Sequence, residues 1–185
     1  MSVVKLMGGV GSVAPGASAA AIVNLIPGEY VLICLIPSPM DHLPHFAKGM
    51  ITSMNVTSSE NNVSEPNAGL MVTLKDFSFD LPETLPAGEV IMKVTNEGPE
   101  LHELNLLKLA DGKTLQDVLQ YLQDPQGAPP FIPVGGMNGL DIGSSGYLDL
   151  NLAPGKYVAI CNIPSPKAEG HPHFALGMVK EFTVQ

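Results

Sequence analysis

The sequence contains no uninterrupted apolar run of the ~18 residues that a membrane-spanning helix needs, so no helical span is expected. Basic residues are scarce as well. Nine Lys and Arg stand against eighteen Asp and Glu, for a formal charge of −9. Nucleic acid and anionic membranes both require a cationic face, so neither is expected as a partner, and a protein with a basic or neutral face fits better. Helical periodicity is rare. What is plentiful is 17 Pro and 19 Gly with Val and Leu between them, the composition of short strands joined by tight turns, so the expected class is all-β. With 185 residues, 45% of them hydrophobic, the chain has the length of one domain or two small ones and enough apolar surface for a real core.

The chain writes one pattern twice. "GEYVLICLIPSPMDHLPHFAKGM" at 28 to 50 returns as "GKYVAICNIPSPKAEGHPHFALGM" at 155 to 178. The likeness extends upstream: "GGVGSVAPGASAAAIVNLIPGEY" from Gly8 runs alongside "GGMNGLDIGSSGYLDLNLAPGKY" from Gly135. The first residues resemble a secretory signal in having one Lys, a weakly apolar run and an A-S-A triplet. Glycines and a proline interrupt that run, and it aligns with internal sequence, so it reads as folded chain.

The repeat spans positions 1 to about 56 and about 128 to 185. "TSSENNVSEPN" at 57 to 67 is polar and aperiodic, a linker. After it, Leu70, Val72 and Leu74, then Phe77 and Phe79, then Val90, Met92 and Val94, then Leu104 and Leu106, alternate as half-buried strands do. Tyr147 to Leu150, Tyr157 to Cys161 and Phe182 to Val184 give three more strands. One helix is expected in "KTLQDVLQYLQ" at 113 to 123, opened by Thr114 with Asp117 three residues on. Residues 68 to 185 thus read as a complete sandwich with an inserted helix, preceded by a partial second copy, 1 to 56, of its C-terminal half. Three explanations for the missing front half stay open. It precedes Met1 in a longer chain, which is the favoured reading; another copy supplies it by domain swapping, making a homo-oligomer; or the fragment packs on the complete domain.

All five histidines fall in or beside the repeated motif or in the turn "NEGPELHELNLL". In the complete domain Cys161 offers a thiolate, His173 an imidazole and Met178 a thioether, and His102 brings a second imidazole from a distant strand. Two His, one Cys and a weak Met form a ligand set for copper cycling between Cu(I) and Cu(II). Singly, each residue has an ordinary structural role, the Cys as a small buried apolar group. His171 has no strict equivalent in the first copy and is expected to face solvent. Five histidines are too few for a trinuclear centre. Cys34 and Cys161 occupy equivalent positions, each in its own site, so no disulfide between them is expected.

The order N-x-G-P-x-x-H at Asn96 to His102, G-x-Y-x-x-x-C at Gly155 to Cys161 and P-H-x-x-x-G-M at Pro172 to Met178 resembles the cupredoxins, the blue copper proteins of the plastocyanin and azurin type. The resemblance implies a Greek-key β-sandwich, copper held by His102, Cys161, His173 and Met178, and electron transfer rather than catalysis. It implies an extracytoplasmic home and a redox partner, which the acidic surface would steer. Phe174, Pro164 and Pro172 are expected to keep water away. The chain departs from the family in two places. Eleven residues separate Cys161 from His173, and Glu103 follows the first His where plastocyanin-like proteins tend to place an Asn that braces the Cys loop, which implies a less rigid loop here. Cys34, His45 and Met50 repeat three of the four ligands with no counterpart of His102, an incomplete second site. The alternative function is a copper-free or copper-carrying binding module; catalysis ranks third, since it needs a second copper and more histidines.

Overall fold

The computed structural model describes residues 4–58 and 63–185. Contacts divide the chain into two units: the residues up to Val23 together with Pro66–Gln185, and Asn24–Glu65. No helix among the described residues is long and apolar enough to cross a membrane.

The larger unit is the all-β sandwich expected. Its strands are β1 (Ala20–Val23), β4 (Leu70–Lys75), β5 (Ser78–Asp80), β6 (Thr84–Leu85), β7 (Gly88–Asn96), β8 (His102–Leu109), β9 (Phe131–Leu140), β10 (Ser145–Leu152), β11 (Gly155–Ile160) and β12 (Val179–Val184). They form two five-stranded sheets, in the orders β1-β10-β7-β4-β5 and β6-β12-β11-β8-β9. The alternation read from the sequence becomes the core. Val72, Leu74, Met92, Val94, Leu104, Leu106, Leu148 and Leu150 all point inward, each almost wholly shielded from water. Each such Leu or Val contributes roughly 1.5–3 kcal/mol on burial.

Helix α1 (Leu115–Gln123) lies in the β8–β9 connection and opens with a reciprocal capping box between Thr114 and Asp117. Its Val118 packs with Leu107, Leu109, Val158 and Ile160 in a second, smaller cluster on the outer face of the sheet.

Strand β9 was not among the strands expected, because Pro133 and the Gly135–Gly136 pair obscure its period. Both glycines have left-handed φ, 119° and 148°, and a Cβ at Gly136 would overlap the Leu104 carbonyl oxygen. Only glycine lets the two strands approach so closely there.

The leading residues pack differently from the expected grouping of 1 to 56. β1 pairs with β10, Ala20↔Asp149 to Val23↔Gly146, and Met7, Val10 and Val13 bridge to Leu140, Met137 and Val134 of β9. The physical reason is that β9 and β10 otherwise end both sheets on the same side, and unpaired strand edges take up any strand that fits. In the repeat Val10 aligns with Met137 and Ala21 with Leu148, and each pairs with its own counterpart. A local twofold therefore relates the two segments.

The smaller unit, Asn24–Glu65, is an antiparallel pair of β2 (Gly28–Ile33) and β3 (Ile51–Val56) in the register Gly28↔Val56 to Ile33↔Ile51. The expected linker, 57 to 67, has no regular structure at 57, 58 and 63 to 67; residues 59 to 62 lie outside the described residues.

Candidate metal centre

Two distant stretches of the sequence meet at one pole of the larger unit. His102 opens β8, held by the turn before it: the Asn96 side-chain amide donates to the carbonyls of Glu100 (2.9 Å) and Leu140 (2.8 Å), and its oxygen accepts the Gly98 N–H at 3.0 Å. Gly98 has no room for a side chain, since a Cβ would press on the His102 ring and Asp76. Cys161 follows β11, and His173 begins the 3-10 turn His173–Leu176. Met178 closes the loop, accepting the Cys161 N–H on its carbonyl at 3.2 Å and donating its own N–H to the His173 carbonyl at 2.9 Å.

The donor atoms of His102, Cys161 and His173 lie within 4.8 Å of one another, and all three residues are fully buried, as is Met178. Cys161 Sγ stands 3.3 Å from His173 Nδ1, and the two Nδ1 atoms are 3.0 Å apart.

Carboxylates on the far side of each ring decide what these nitrogens offer. His102 Nε2 meets Asp76 Oδ1 at 2.7 Å and His173 Nε2 meets Glu100 Oε2 at 3.2 Å. An ionised carboxylate only accepts, so each Nε2 carries the proton and, in the neutral ring, each Nδ1 is left as a bare acceptor aimed inward. Two lone pairs facing at 3.0 Å with a thiol beside them make a donor set suited to a cation. The carboxylate–histidine arrangement is the one that fixes ring orientation in metal sites.

Burial lowers the His102 pKa from its ordinary 6.5, outweighing the Asp76 hydrogen bond that raises it, so the ring stays neutral. Burial also pushes the Cys161 thiol up to about 12, so a metal must displace its proton. Burial raises the Glu100 pKa, but hydrogen bonds from Ser165, Lys167 and His173 outweigh it and leave the carboxyl below its ordinary value. Lys167 Nζ lies 3.3 Å from Glu100 Oε1.

The sequence pointed to His102, Cys161, His173 and Met178; the fold gathers the donor atoms of the first three, and Met178 is tied to Cys161 and His173 through its backbone. It missed Asp76 and Glu100. Glu100 was within the quoted turn, two residues before His102; Asp76 carried no local signal.

Two finer expectations change. The Cys loop is braced: Glu103 donates its N–H to Cys161 Sγ at 3.5 Å, and its carboxylate accepts from the backbone and side chain of Asn162 at 2.9 and 3.2 Å. A longer carboxylate side chain spans what a shorter amide would. Phe77 rather than Phe174 packs on His173, with ring centroids 5.0 Å apart, while Phe174 turns to the Val118 cluster. His171 is exposed, and Cys34 and Cys161 are free thiols.

No family model matches the chain, and no curated protein matches it. Among solved structures it is similar to Na-dithionite-reduced auracyanin from the photosynthetic bacterium Roseiflexus castenholzii, with 19% identity over 63% of this chain and 95% of that one and a TM-score of 0.44. It is also similar to auracyanin A, a "blue" copper protein from Chloroflexus aurantiacus, with 18% identity over 62% and 96% and a TM-score of 0.43. Rusticyanin from Thiobacillus ferrooxidans is similar at 15% identity over 88% and 100%, with a TM-score of 0.36. The likeness is one of fold. What the cluster can do follows from its own geometry.

Proposed function

We propose that the larger unit is a type 1 copper protein that transfers single electrons, with His102, His173, Cys161 and Met178 as ligands. The observation that carries this is the pair of inward Nδ1 atoms beside a buried thiol, each ring pinned by a carboxylate. The mixed nitrogen and sulfur set suits both copper oxidation states, and copper bound there supplies a one-electron couple.

The chain's own residues do the rest. Asp76 and Glu100 fix the rings, so little rearrangement accompanies a change of charge. The Glu103 N–H on Cys161 Sγ withdraws electron density from the sulfur, a lever on the potential. Full burial of the four ligands excludes water and leaves no open position for a substrate, which favours electron transfer over catalysis.

Pro99, Leu101, Ile142, Ile163, Pro164 and Pro166 line an apolar depression beside Glu100, the partner of His173. This depression is the proposed contact for a redox protein of basic or neutral face, steered by the charge of −9. By the same resemblance the protein works outside the cytoplasm.

Titration of the full chain with Cu(II) tests the reading. An intense visible band from thiolate-to-copper charge transfer is expected, lost in Cys161→Ser while far-UV circular dichroism is retained. A colourless complex would favour a carrier, and no uptake a binding module.

A further inference from the structure

The smaller unit holds a second set of soft donors, in the loop between β2 and β3. Cys34, His45 and Met50 stand there on a backbone that copies the centre bond for bond. Cys34 N–H donates to the Met50 carbonyl at 3.1 Å and Phe46 N–H to the Cys34 carbonyl at 3.0 Å; the Cys161 and Phe174 counterparts measure 3.2 and 2.9 Å. Met50 N–H reaches the His45 carbonyl at 3.0 Å and His45 N–H the Ile36 carbonyl at 2.9 Å, against 2.9 Å for both counterparts. Each loop is pinched by a proline bridge, Pro37↔Pro44 or Pro164↔Pro172, and turned by a left-handed glycine, Gly49 or Gly177. Cys34 Sγ lies 3.6 Å from His45 Nδ1, close to the 3.3 Å of the buried pair.

The loop keeps this shape with contacts of its own. Lys48 Nζ donates to Ser38 Oγ at 3.1 Å and pairs with Asp41 at 2.8 Å. Two features differ from the buried centre. His42, the other histidine of this unit, sits exposed in a left-handed turn, and nothing in the unit corresponds to His102. Met50 is 59% exposed and Cys34 only half-buried, where Met178 and Cys161 are wholly shielded.

We propose that Cys34, His45 and Met50 form a second, open metal site that takes Cu(I) from solution or a donor and releases it again. One thiolate, one thioether and one imidazole are the soft set that Cu(I) prefers, and with a single nitrogen the loop lacks what Cu(II) needs. Binding forms one Cu–N and two Cu–S bonds, the Cys34 thiol gives its proton to solvent, and no electron moves. Exposure leaves a side open, so an incoming ligand bonds to the metal before the last loop donor lets go. A closed, buried centre forbids that exchange. The choice of metal rests on the copper reading above; the site itself does not.

The test is an anaerobic Cu(I) titration of the full chain against a competing chromophoric chelator. Two equivalents are expected for the wild type, one each for Cys34→Ser and Cys161→Ser. One equivalent in the wild type, unchanged by Cys34→Ser, overturns this site and leaves the buried one standing. The reverse pattern, insensitivity to Cys161→Ser alone, sinks the blue-copper reading instead. His45→Ala and Met50→Leu separate a built site from a lone thiol. Each is expected to weaken the Cys34-dependent equivalent by at least the ~10-fold that loss of even an outer partner costs. Unchanged affinity in both overturns the proposal, with circular dichroism as the check on folding.

Discussion

His102 and His173 face each other through Nδ1 atoms 3.0 Å apart, and each is backed through Nε2 by its own carboxylate, Asp76 or Glu100. The pairing makes the carboxylates testable. Asp76→Asn removes the charge but keeps the shape, freeing His102 to change tautomer. Copper affinity is expected to fall about 10–100-fold, read by chelator competition, with little change in thermal stability of the metal-free protein.

Gly98→Ala places a methyl group against the His102 ring and Asp76. The ring must shift or the turn must open, at a cost of about 1–3 kcal/mol in denaturant unfolding. The visible band of the copper-loaded protein is expected to move or weaken. An unaltered band and midpoint would contradict the packing of that turn.

Metal-free stability should depend on pH through His102. Its folded pKa lies below the unfolded 6.5, so the unfolded chain binds the proton more readily. The contribution of the neutral ring is fully present above about pH 6.5 and is lost as pH falls through the lower folded value. Melting temperature of the apo protein is therefore expected to drop on acidification from that point, and copper to blunt the drop. Equal dependence in His102→Phe would assign the effect to other groups.

Thr114→Ala removes the cap of α1 and should cost about 1 kcal/mol. The helix packs on the outer cluster, whose Val118 touches none of the proposed donors, so the copper band is expected to stay as it is while the unfolding midpoint falls.

The legible parts of this molecule were those whose signal is local. Thr114 and Asp117 announce a helix start within four residues, and Leu70, Val72 and Leu74 announce a strand by simple alternation. The proposed copper ligands were legible because Cys and His are rare in this chain and fall with Met178 in a recognisable order. Asp76 was not, since it lies 26 residues before His102 and only the pairing of β4 with β7 brings it near. β9 hid behind glycines whose purpose, close approach to Leu104, exists only once β8 is beside it. That the leading fragment packs on the sandwich was one of three open readings, but the break at Val23 was not legible, because a vacant sheet edge leaves no mark on the sequence that fills it.

That leading segment runs along β9 and then along β10, the last strands of the two sheets on one flank. A single ribbon thereby covers two strand edges at once, and its β1 becomes the outer strand of one sheet. Because the seam is self-complementary, with Val10 meeting Met137 and Ala21 meeting Leu148, two copies of one motif cover each other's strand edges within a single chain.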